Sequence, residues 1–238
     1  MGGVGFIRAL IVLHRAFGRF DTRTRLHTLV RFVTCPFLRV VRHVPAGEAV
    51  LEIGAGHGVF SVLARAGGAA RVVAVEPDLR KVRALAGVDV VAGYDACVRG
   101  AFDVVAVIDV LYKVPAAEWD AMLARIADRV RPGGLLIVKE QDPTARLKNA
   151  WNRVQERLAT ALHLTLGESF SYEAPRDFAE RLRRHGFEPQ PPRRIDFGYP
   201  HPHVLYLAYH QGAEGRAPGA DGVLATAPSA PRPLRSAP

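Results

Sequence analysis

The chain has 238 residues, of which 49% are hydrophobic and 23% are charged, and its formal net charge is +9. This composition supplies one substantial core, or one core plus a cap, and it excludes an intrinsically disordered chain. The two cysteines, Cys35 and Cys97, form no CxxC pair, which argues against a disulfide scaffold and favours reduced thiols in a cytoplasmic protein.

Residues 1–45 are predicted to form a helical N-terminal arm. Apolar residues recur at roughly helical spacing over 6–20 and again over 26–33. Arginines interrupt the first run well short of the ~18–20 apolar residues that span a bilayer. Its apolar centre is also too brief for a signal peptide. We therefore expect two or three helices that pack on the core or form a lid over a site.

The same arm is strongly basic. It contains eight arginines and one acidic residue, Asp21. Such a charge favours an anionic partner, which is nucleic acid, a membrane surface or a phosphorylated substrate, while a solvated arginine-rich surface explains it equally well. For a membrane, the predicted peripheral contact is the amphipathic stretch at residues 5–20. Nucleic acid is the less favoured partner.

A strand, a tight turn and a helix are predicted after the arm. The strand is Ala49–Ile53, and the glycines at 54, 56 and 58 follow before an apolar helical pattern resumes. Glycine adopts turn dihedrals closed to other residues and allows a ligand to approach the backbone. The N–H groups at the start of the next helix favour electron-rich ligand atoms. The spacing G-x-G-x-G differs from the G-x-G-x-x-G of dinucleotide-binding proteins.

Strands then alternate with helices, which predicts a mostly parallel sheet covered by helices on both faces. Further strands are predicted at 71–75, 88–91, 104–108, 135–138, 187–197 and 204–210, and helices at 77–85 and 119–130. Ligands in such sheets bind beyond the carboxyl ends of the strands. Glu76 lies at one of these ends, 24 residues after Glu52.

Five segments follow one another in this half of the chain. They are E-x-G-x-G-x-G at 52–58, V-x-V-E-P-D at 73–78, G-Y-D-A at 93–96, F-D-V-V-x-V-I-D-V-L-Y at 102–112 and R-P-G-G-L-L-I-V-K at 131–139. In order and spacing they resemble the motifs of the class I S-adenosylmethionine (SAM) methyltransferases. The resemblance implies a Rossmann-like, doubly wound α/β fold. Its sheet would have seven mostly parallel strands with an antiparallel last strand, and the helical N-terminal arm would be a cap.

The resemblance also implies that SAM is the cofactor. Glu52 is expected near the methionine amino group, and Glu76 is expected to accept the ribose hydroxyls. Asp95 is expected near the adenine amino group, and Asp109 on the sulfonium side. The implied cofactor-binding residues are Glu52, Gly54, Ala55, Gly56, Gly58, Glu76, Pro77, Asp95, Ala96, Asp109 and Val110. For Asp95 and Asp109, support of a neighbouring turn or helix is the structural alternative.

The rest of the chain fits the resemblance less specifically. An insertion at about 143–172 is predicted to be a substrate cap, and the Gly-, Ala-, Pro- and Ser-rich stretch at 211–238 a disordered tail. With the arm at 1–45, these bounds place a methyltransferase domain at 46–210.

Proton transfer is needed only if the methyl acceptor arrives protonated. Tyr112, His201 and His203 are the candidate catalytic residues, and one of the two histidines could act as the general base, with a structural loop histidine as the alternative. His57, Lys139 and Glu140 are further pocket candidates. No histidine or cysteine spacing indicates a metal site.

The sequence therefore predicts a SAM-dependent methyltransferase that acts on an oxygen, nitrogen or carbon nucleophile of a small-molecule or lipid-like acceptor. Two alternatives stay open: an RNA methyltransferase that uses the basic arm, and a noncatalytic SAM-binding or partner-binding protein. An NAD-linked oxidoreductase is disfavoured by the glycine spacing and by the lack of a Tyr-x-x-x-Lys pair.

Overall fold

The computed structural model describes residues 4–78, 80–81, 83–143 and 171–212. Nearly all of the predicted cap insertion at 143–172 lies outside these residues, as does the predicted tail beyond residue 212.

Six α-helices and eight strands are formed by the described residues. The helices are α1 (Phe6–Phe17), α2 (Thr22–Thr34), α3 (Phe37–Val41), α4 (Val59–Ala66), α5 (Trp119–Ala127) and α6 (Pro175–Arg184). The strands are β1 (Ala49–Ile53), β2 (Arg71–Glu76), β3 (Asp89–Ala92), β4 (Phe102–Ile108), β5 (Val130–Gln141), β6 (Phe187–Pro189), β7 (Arg193–Arg194) and β8 (His203–His210).

The strands form one sheet in the order β3-β2-β1-β4-β5-β8-β6, with β7 also paired to β8. Strands β1 to β5 are parallel to one another, and β8 is antiparallel to β5. The predicted Rossmann-like sheet with an antiparallel last strand is confirmed. Because the chain crosses from one side of β1 to the other between β3 and β4, a crevice opens at the carboxyl ends of β1 and β4.

The predicted strand at 187–197 is interrupted. Phe187–Pro189 and Arg193–Arg194 both pair with the outer edge of β8, in line with each other. Pro191 and Pro192 stand between them and have no N–H to donate to a ladder, so pairing lapses there. Together the two pieces occupy the seventh position of the sheet.

The predicted helix at 77–85 is wrong for the residues described there, which form turns and a bridge. The Asp78 carboxylate accepts a hydrogen bond from Arg80 N at 3.0 Å, and the Asp78 carbonyl accepts one from Lys81 N at 2.8 Å. Leu85 then pairs with Val88 in an isolated bridge. The hydrogen bonds of Asp78 stabilise a turn here, in place of the helix that the apolar spacing predicts.

Both faces of the sheet are buried, because successive strand residues point to opposite sides. In β1, Val50 belongs to the core on one face and Leu51 to the core on the other. Helices α1, α3 and α4 cover the first face, and α5 and α6 cover the second. The N-terminal arm therefore shares the core of the sheet.

Helix α2 turns its apolar stripe away from the core. Its inner face buries Thr28 and Phe32, whereas the apolar residues that define the stripe are 48–60% exposed. The exposed stripe consists of Leu26, Leu29, Val30 and Val33. Of the two alternatives for this run, packing on the core is wrong for the apolar stripe, because the opposite side of α2 is the one that faces the domain and borders a cavity.

Candidate cofactor and active site

A cavity of about 650 Å³ lies at the carboxyl ends of the parallel strands. This size is ordinary for a ligand pocket. It brings together ten of the fourteen predicted site residues, which are Gly54, Gly56, Glu76, Pro77, Asp95, Asp109, Val110, Tyr112, His201 and His203. The other four, Glu52, Ala55, Gly58 and Ala96, do not line it.

The backbone of the glycine turn after β1 favours glycine at each of its three positions. Gly54, Gly56 and Gly58 have φ values of 71°, 59° and 79°, which side chains rarely adopt. A Cβ on Gly54 would lie 2.5 Å from a Val110 methyl group, and one on Gly58 would collide with Leu85. A Cβ on Gly56 would meet only the Arg31 side chain. Gly54 and Gly58 thus serve packing, while Gly56 presents bare backbone to the cavity.

Glu76 ties this turn to the end of β2. Its carboxylate accepts hydrogen bonds from Gly56 N at 2.7 Å and from Asp78 N at 3.0 Å, one on each oxygen. An ionised carboxylate has about four acceptor positions. Each oxygen of Glu76 therefore keeps acceptor capacity towards the cavity, as binding to a diol requires.

Glu52 lies behind the turn. Its carboxylate accepts hydrogen bonds from Ser61 N at 3.0 Å and from Ser61 Oγ at 2.5 Å. Burial raises the pKa of Glu52 to about 7, although the Ser61 hydroxyl opposes the shift. With Ala55 it lines a separate small void beneath α2. Its contact with the methionine amino group stays a prediction.

Asp109, directly after β4, is held in a three-residue ion cluster. Its φ of 58° is unusual for a residue with a side chain. One carboxylate oxygen lies 2.5 Å from Lys139 Nζ and the other 3.1 Å from the Arg31 guanidinium. Burial alone would raise the pKa of Asp109, but the two cations hold it below its usual range. Lys139 itself is only 1% exposed, so Asp109 is its buried counterion.

Arg31 belongs to a wall of the cavity that sequence reasoning missed. His27, Arg31 and Cys35 all line the cavity from the inner side of α2. They recur at intervals of four residues, which places them on one side of a helix. That interval was the available signal, but the apolar stripe on the opposite side of α2 dominated the pattern.

Glu140 holds the loop that follows β4. One of its carboxylate oxygens accepts hydrogen bonds from Val110 N at 3.0 Å and Leu111 N at 2.8 Å. Burial, assisted by the nearby Asp109 charge, raises the pKa of Glu140 to about 8. Lys139 and Glu140, predicted as pocket residues, therefore support the cavity from behind and are not part of its lining.

Asp95 lines the opposite end of the cavity, beyond β3. Its carboxylate accepts a hydrogen bond from Arg125 Nε at 2.6 Å, and Arg125 lines the cavity too. Ala96, its neighbour, is exposed outside the lining. Long-range pairing with Arg125 was not evident from the sequence.

The candidate catalytic residues all line the cavity, and His201 and His203 reach it because β8 runs antiparallel and begins at this edge of the sheet. Burial raises the pKa of Tyr112, so its hydroxyl stays protonated. Burial, with the charge of Lys139 adding to it, lowers the pKa of His203 to about 3, so its ring is neutral. The buried Nδ1 of His203 has no hydrogen-bond partner. The ring is thus suited to accept a hydrogen bond and poorly suited to hold a proton.

Neither a membrane-spanning helix nor a metal-binding cluster is present in the part of the chain that the structure describes. None of its helices has both the length and the apolar character to cross a membrane. It also contains no group of three or more His, Cys, Asp or Glu side chains arranged to hold a metal ion.

Comparison with known proteins identifies a family. Residues 26–191 match the family described as a methyltransferase domain. This match begins within α2 and extends past β6, so it includes the α2 wall and every cavity-lining residue except His201 and His203. A search of curated proteins found no significant match.

Solved structures with the same fold include several methyltransferases. A SAM-dependent methyltransferase of Thermotoga maritima is 20% identical, with 84% of this chain and 99% of that chain covered and a TM-score of 0.57. Magnesium protoporphyrin IX methyltransferase of Synechocystis, with bound S-adenosylhomocysteine, is 17% identical, with 84% and 94% covered and a TM-score of 0.56. The 1,6-didemethyltoxoflavin N1-methyltransferase of Burkholderia thailandensis is 18% identical, with 87% and 90% covered and a TM-score of 0.55. At these identities the structures support the fold and do not define the acceptor.

Proposed function

Because this chain belongs to the class I SAM-dependent methyltransferases, we propose that it methylates an oxygen, nitrogen or carbon nucleophile of a small-molecule or lipid-like acceptor. The observation that carries this proposal is that the same cavity, of about 650 Å³, is lined both by the cofactor motifs and by α2. SAM supplies a methyl group already activated by the positive sulfur. The protein's contribution is then mainly to position two reactants, which supplies up to ~7–11 kcal/mol.

We assign the cofactor contacts along the strand ends. The bare backbone at Gly56 supports the methionine and ribose portions, and the remaining acceptor positions of Glu76 take the ribose hydroxyls. Asp95 borders the adenine, where Arg125 fixes its carboxylate. Asp109 and Val110 line the sulfonium side, as Glu140 holds the backbone of their loop.

Arg31 is the best candidate to receive the methionine carboxylate. Its guanidinium has five N–H donors, and its pair with Asp109 uses one of them. It lies beside Gly56, so a carboxylate at the glycine turn is within its reach. The same contact would close α2 over the bound cofactor.

The protonation states of His203 and Tyr112 favour orientation of the nucleophile over strong general-base catalysis. Neutral His203 accepts a hydrogen bond, and protonated Tyr112 donates one. A base with a pKa of about 3 removes a proton poorly at neutral pH. Suitable acceptors are therefore acidic hydroxyl groups, which ionise with little help, or neutral amines, which attack through the lone pair and release a proton only after the methyl group has been transferred.

A small acceptor is further supported by two relatives in fold. One is named for magnesium protoporphyrin IX and the other was solved with bound 1,6-didemethyltoxoflavin. The free thiols of Cys35 and Cys97 support a reducing, cytoplasmic location.

The proposal is tested by release of S-adenosylhomocysteine from SAM by the purified full chain. We expect release with at least one member of a panel of amines, acidic phenols and lipid-like hydroxyl compounds. Release with RNA but with no small acceptor would overturn the acceptor class. Tight binding of the cofactor without release on any acceptor would favour the noncatalytic alternative.

A further inference from the structure

Helices α1 and α2 form a hairpin with an apolar outer face. Seven large apolar side chains on this hairpin are 47–74% exposed. They are Phe6, Ile7 and Ile11 on α1 and Leu26, Leu29, Val30 and Val33 on α2. We call this set the outer face. Exposed apolar patches of this kind mark interaction surfaces, because isolated exposed side chains are common but clusters are not.

The inner sides of both helices already have partners. Ala9, Leu13 and Phe17 of α1 are buried in the core above the sheet. Arg31 of α2 is bound to Asp109 at the cavity. The hairpin is therefore anchored to the domain, and its outer face cannot turn inward without breaking these contacts.

A groove adjoins the outer face between the two helices. It has a volume of about 490 Å³, and apolar residues of both helices line it, among them Leu10, Leu13 and Phe17 of α1 and Leu26 and Leu29 of α2. Its dimensions and lining suit flexible hydrocarbon. His14 and Arg25 stand in its lining as polar groups.

The charge around this face is almost entirely positive. Five arginines on the hairpin are exposed, and the acidic residue among them, Asp21, caps α2 by accepting a hydrogen bond from Thr24 N. The exposed arginines are Arg8, Arg15, Arg19, Arg23 and Arg25. A second copy of the chain would bring two such sets of cations together. RNA would pair with the arginines but would leave the apolar side chains in water.

We propose that the outer face of the α1–α2 hairpin docks onto an anionic lipid membrane. Apolar side chains would enter the region between headgroups and acyl chains while arginines bind the anionic headgroups. The docking is peripheral, as the described helices are too short or too polar to span a bilayer. The surface includes α2 as well as the 5–20 stretch indicated by the sequence.

The position of α2 gives this surface a consequence for catalysis. One side of α2 carries the outer face, and the other side lines the cavity through His27, Arg31 and Cys35. A membrane on the outer face would thus lie one helix away from the cofactor. The lipid-like class of acceptor follows from this placement, and this step alone rests on the proposed function.

Vesicle flotation of the full chain tests the docking. We expect co-flotation with vesicles of equal parts phosphatidylglycerol and phosphatidylcholine, and at least about tenfold less with phosphatidylcholine alone. The double variant Ile7→Glu/Val33→Glu, with one change on each helix and neither in the groove nor the cavity, should lose binding to anionic vesicles by about tenfold or more. Phe197→Glu is the matched control, because Phe197 is 87% exposed but lies outside the hairpin.

Three results would overturn the proposal. The first is absence of wild-type flotation on anionic vesicles, and the second is equal flotation of the double variant and the wild type. The third is a wild-type dimer in gel filtration that the double variant abolishes without any vesicle binding. Cofactor affinity, measured on the same samples by titration with S-adenosylhomocysteine, separates the two proposals. If the wild type does not bind S-adenosylhomocysteine, the proposed function is contradicted but the docking result still stands. If the double variant binds S-adenosylhomocysteine as tightly as the wild type does, the double variant is folded.

Discussion

The two walls of the cofactor cavity are built in different ways. On the β1–β2 wall, the contacts use the backbone and join residues that are closer in the sequence. An example is the hydrogen bond from Gly56 N to Glu76, which lies 20 residues away. On the β4–β5 wall, Asp109 binds Lys139 across 30 residues and Arg31 across 78 residues. The first wall depends on chain conformation, whereas the second adds the pairing of buried charges to the backbone bonds that Glu140 accepts. The second wall should therefore be the more sensitive to single substitutions.

The largest expected effect is the loss of the Asp109 carboxylate. Asp109→Ala leaves the buried Lys139 ammonium without its counterion, which should lower the free energy of unfolding by about 3–5 kcal/mol in urea denaturation. Asp89→Ala, which removes an exposed ion pair with Arg71, is the control and should cost less than about 1 kcal/mol. Equal effects of the two variants would remove the contrast between the walls.

A smaller effect is expected at Arg31, which joins α2 to the β4–β5 wall. Arg31→Gln should weaken binding of S-adenosylhomocysteine about tenfold, because α2 is no longer held over the cavity. Lys139 still neutralises Asp109, so the fold should persist. Arg25→Gln changes an exposed arginine on the same helix and should leave the dissociation constant as it is. An unaltered affinity in Arg31→Gln would show that α2 does not take part in the site.

The smallest expected effect concerns pH and Glu140. Its pKa of about 8 lies above the ~4.3 of an unfolded glutamate, so between these values the folded chain binds the extra proton. The stability that this proton provides is complete below about pH 4 and is lost as the pH rises through 8. Glu140→Gln mimics the protonated acid and keeps the acceptor for Val110 N and Leu111 N.

Thermal unfolding from pH 5 to pH 9 checks this expectation. The quantity to follow is the melting temperature of Glu140→Gln minus that of the wild type. This difference should increase by about 3 °C or more from pH 5 to pH 9, because only the wild type loses the proton. Glu52 titrates in both proteins, so its contribution cancels in the difference. Glu188→Gln, at an exposed site on β6, should show a constant difference. A constant difference for Glu140→Gln would mean that this carboxyl ionises normally.

The contrast between the walls explains what the sequence could predict. The strands, the glycine turn and the position of Glu76 follow from local pattern, since strand alternation and glycine dihedrals act over a few residues. The sheet was predicted correctly for this reason. The ion cluster could not be predicted in this way, because no local pattern shows that Arg31 and Lys139 meet at Asp109.

The errors in secondary structure have equally physical causes. The sequence left open whether the α2 run packs on the core or forms a lid, because apolar periodicity shows that a helix has two different faces but does not show which face is buried. The helix predicted at 77–85 does not form, because Asp78 makes turn hydrogen bonds with Arg80 and Lys81 instead. In both cases contacts outside the apolar pattern decided the outcome.

Calorimetric titration with S-adenosylhomocysteine tests the central claim, that the glycine turn and Glu76 form the cofactor site. The wild type should bind one equivalent and give no heat with NAD. Glu76→Ala should raise the dissociation constant about tenfold or more, equivalent to about 1.4 kcal/mol or more, because the acceptor for the ribose hydroxyls and the anchor of Gly56 N are both lost. An unchanged dissociation constant in Glu76→Ala, or binding of NAD in place of S-adenosylhomocysteine, would contradict the account.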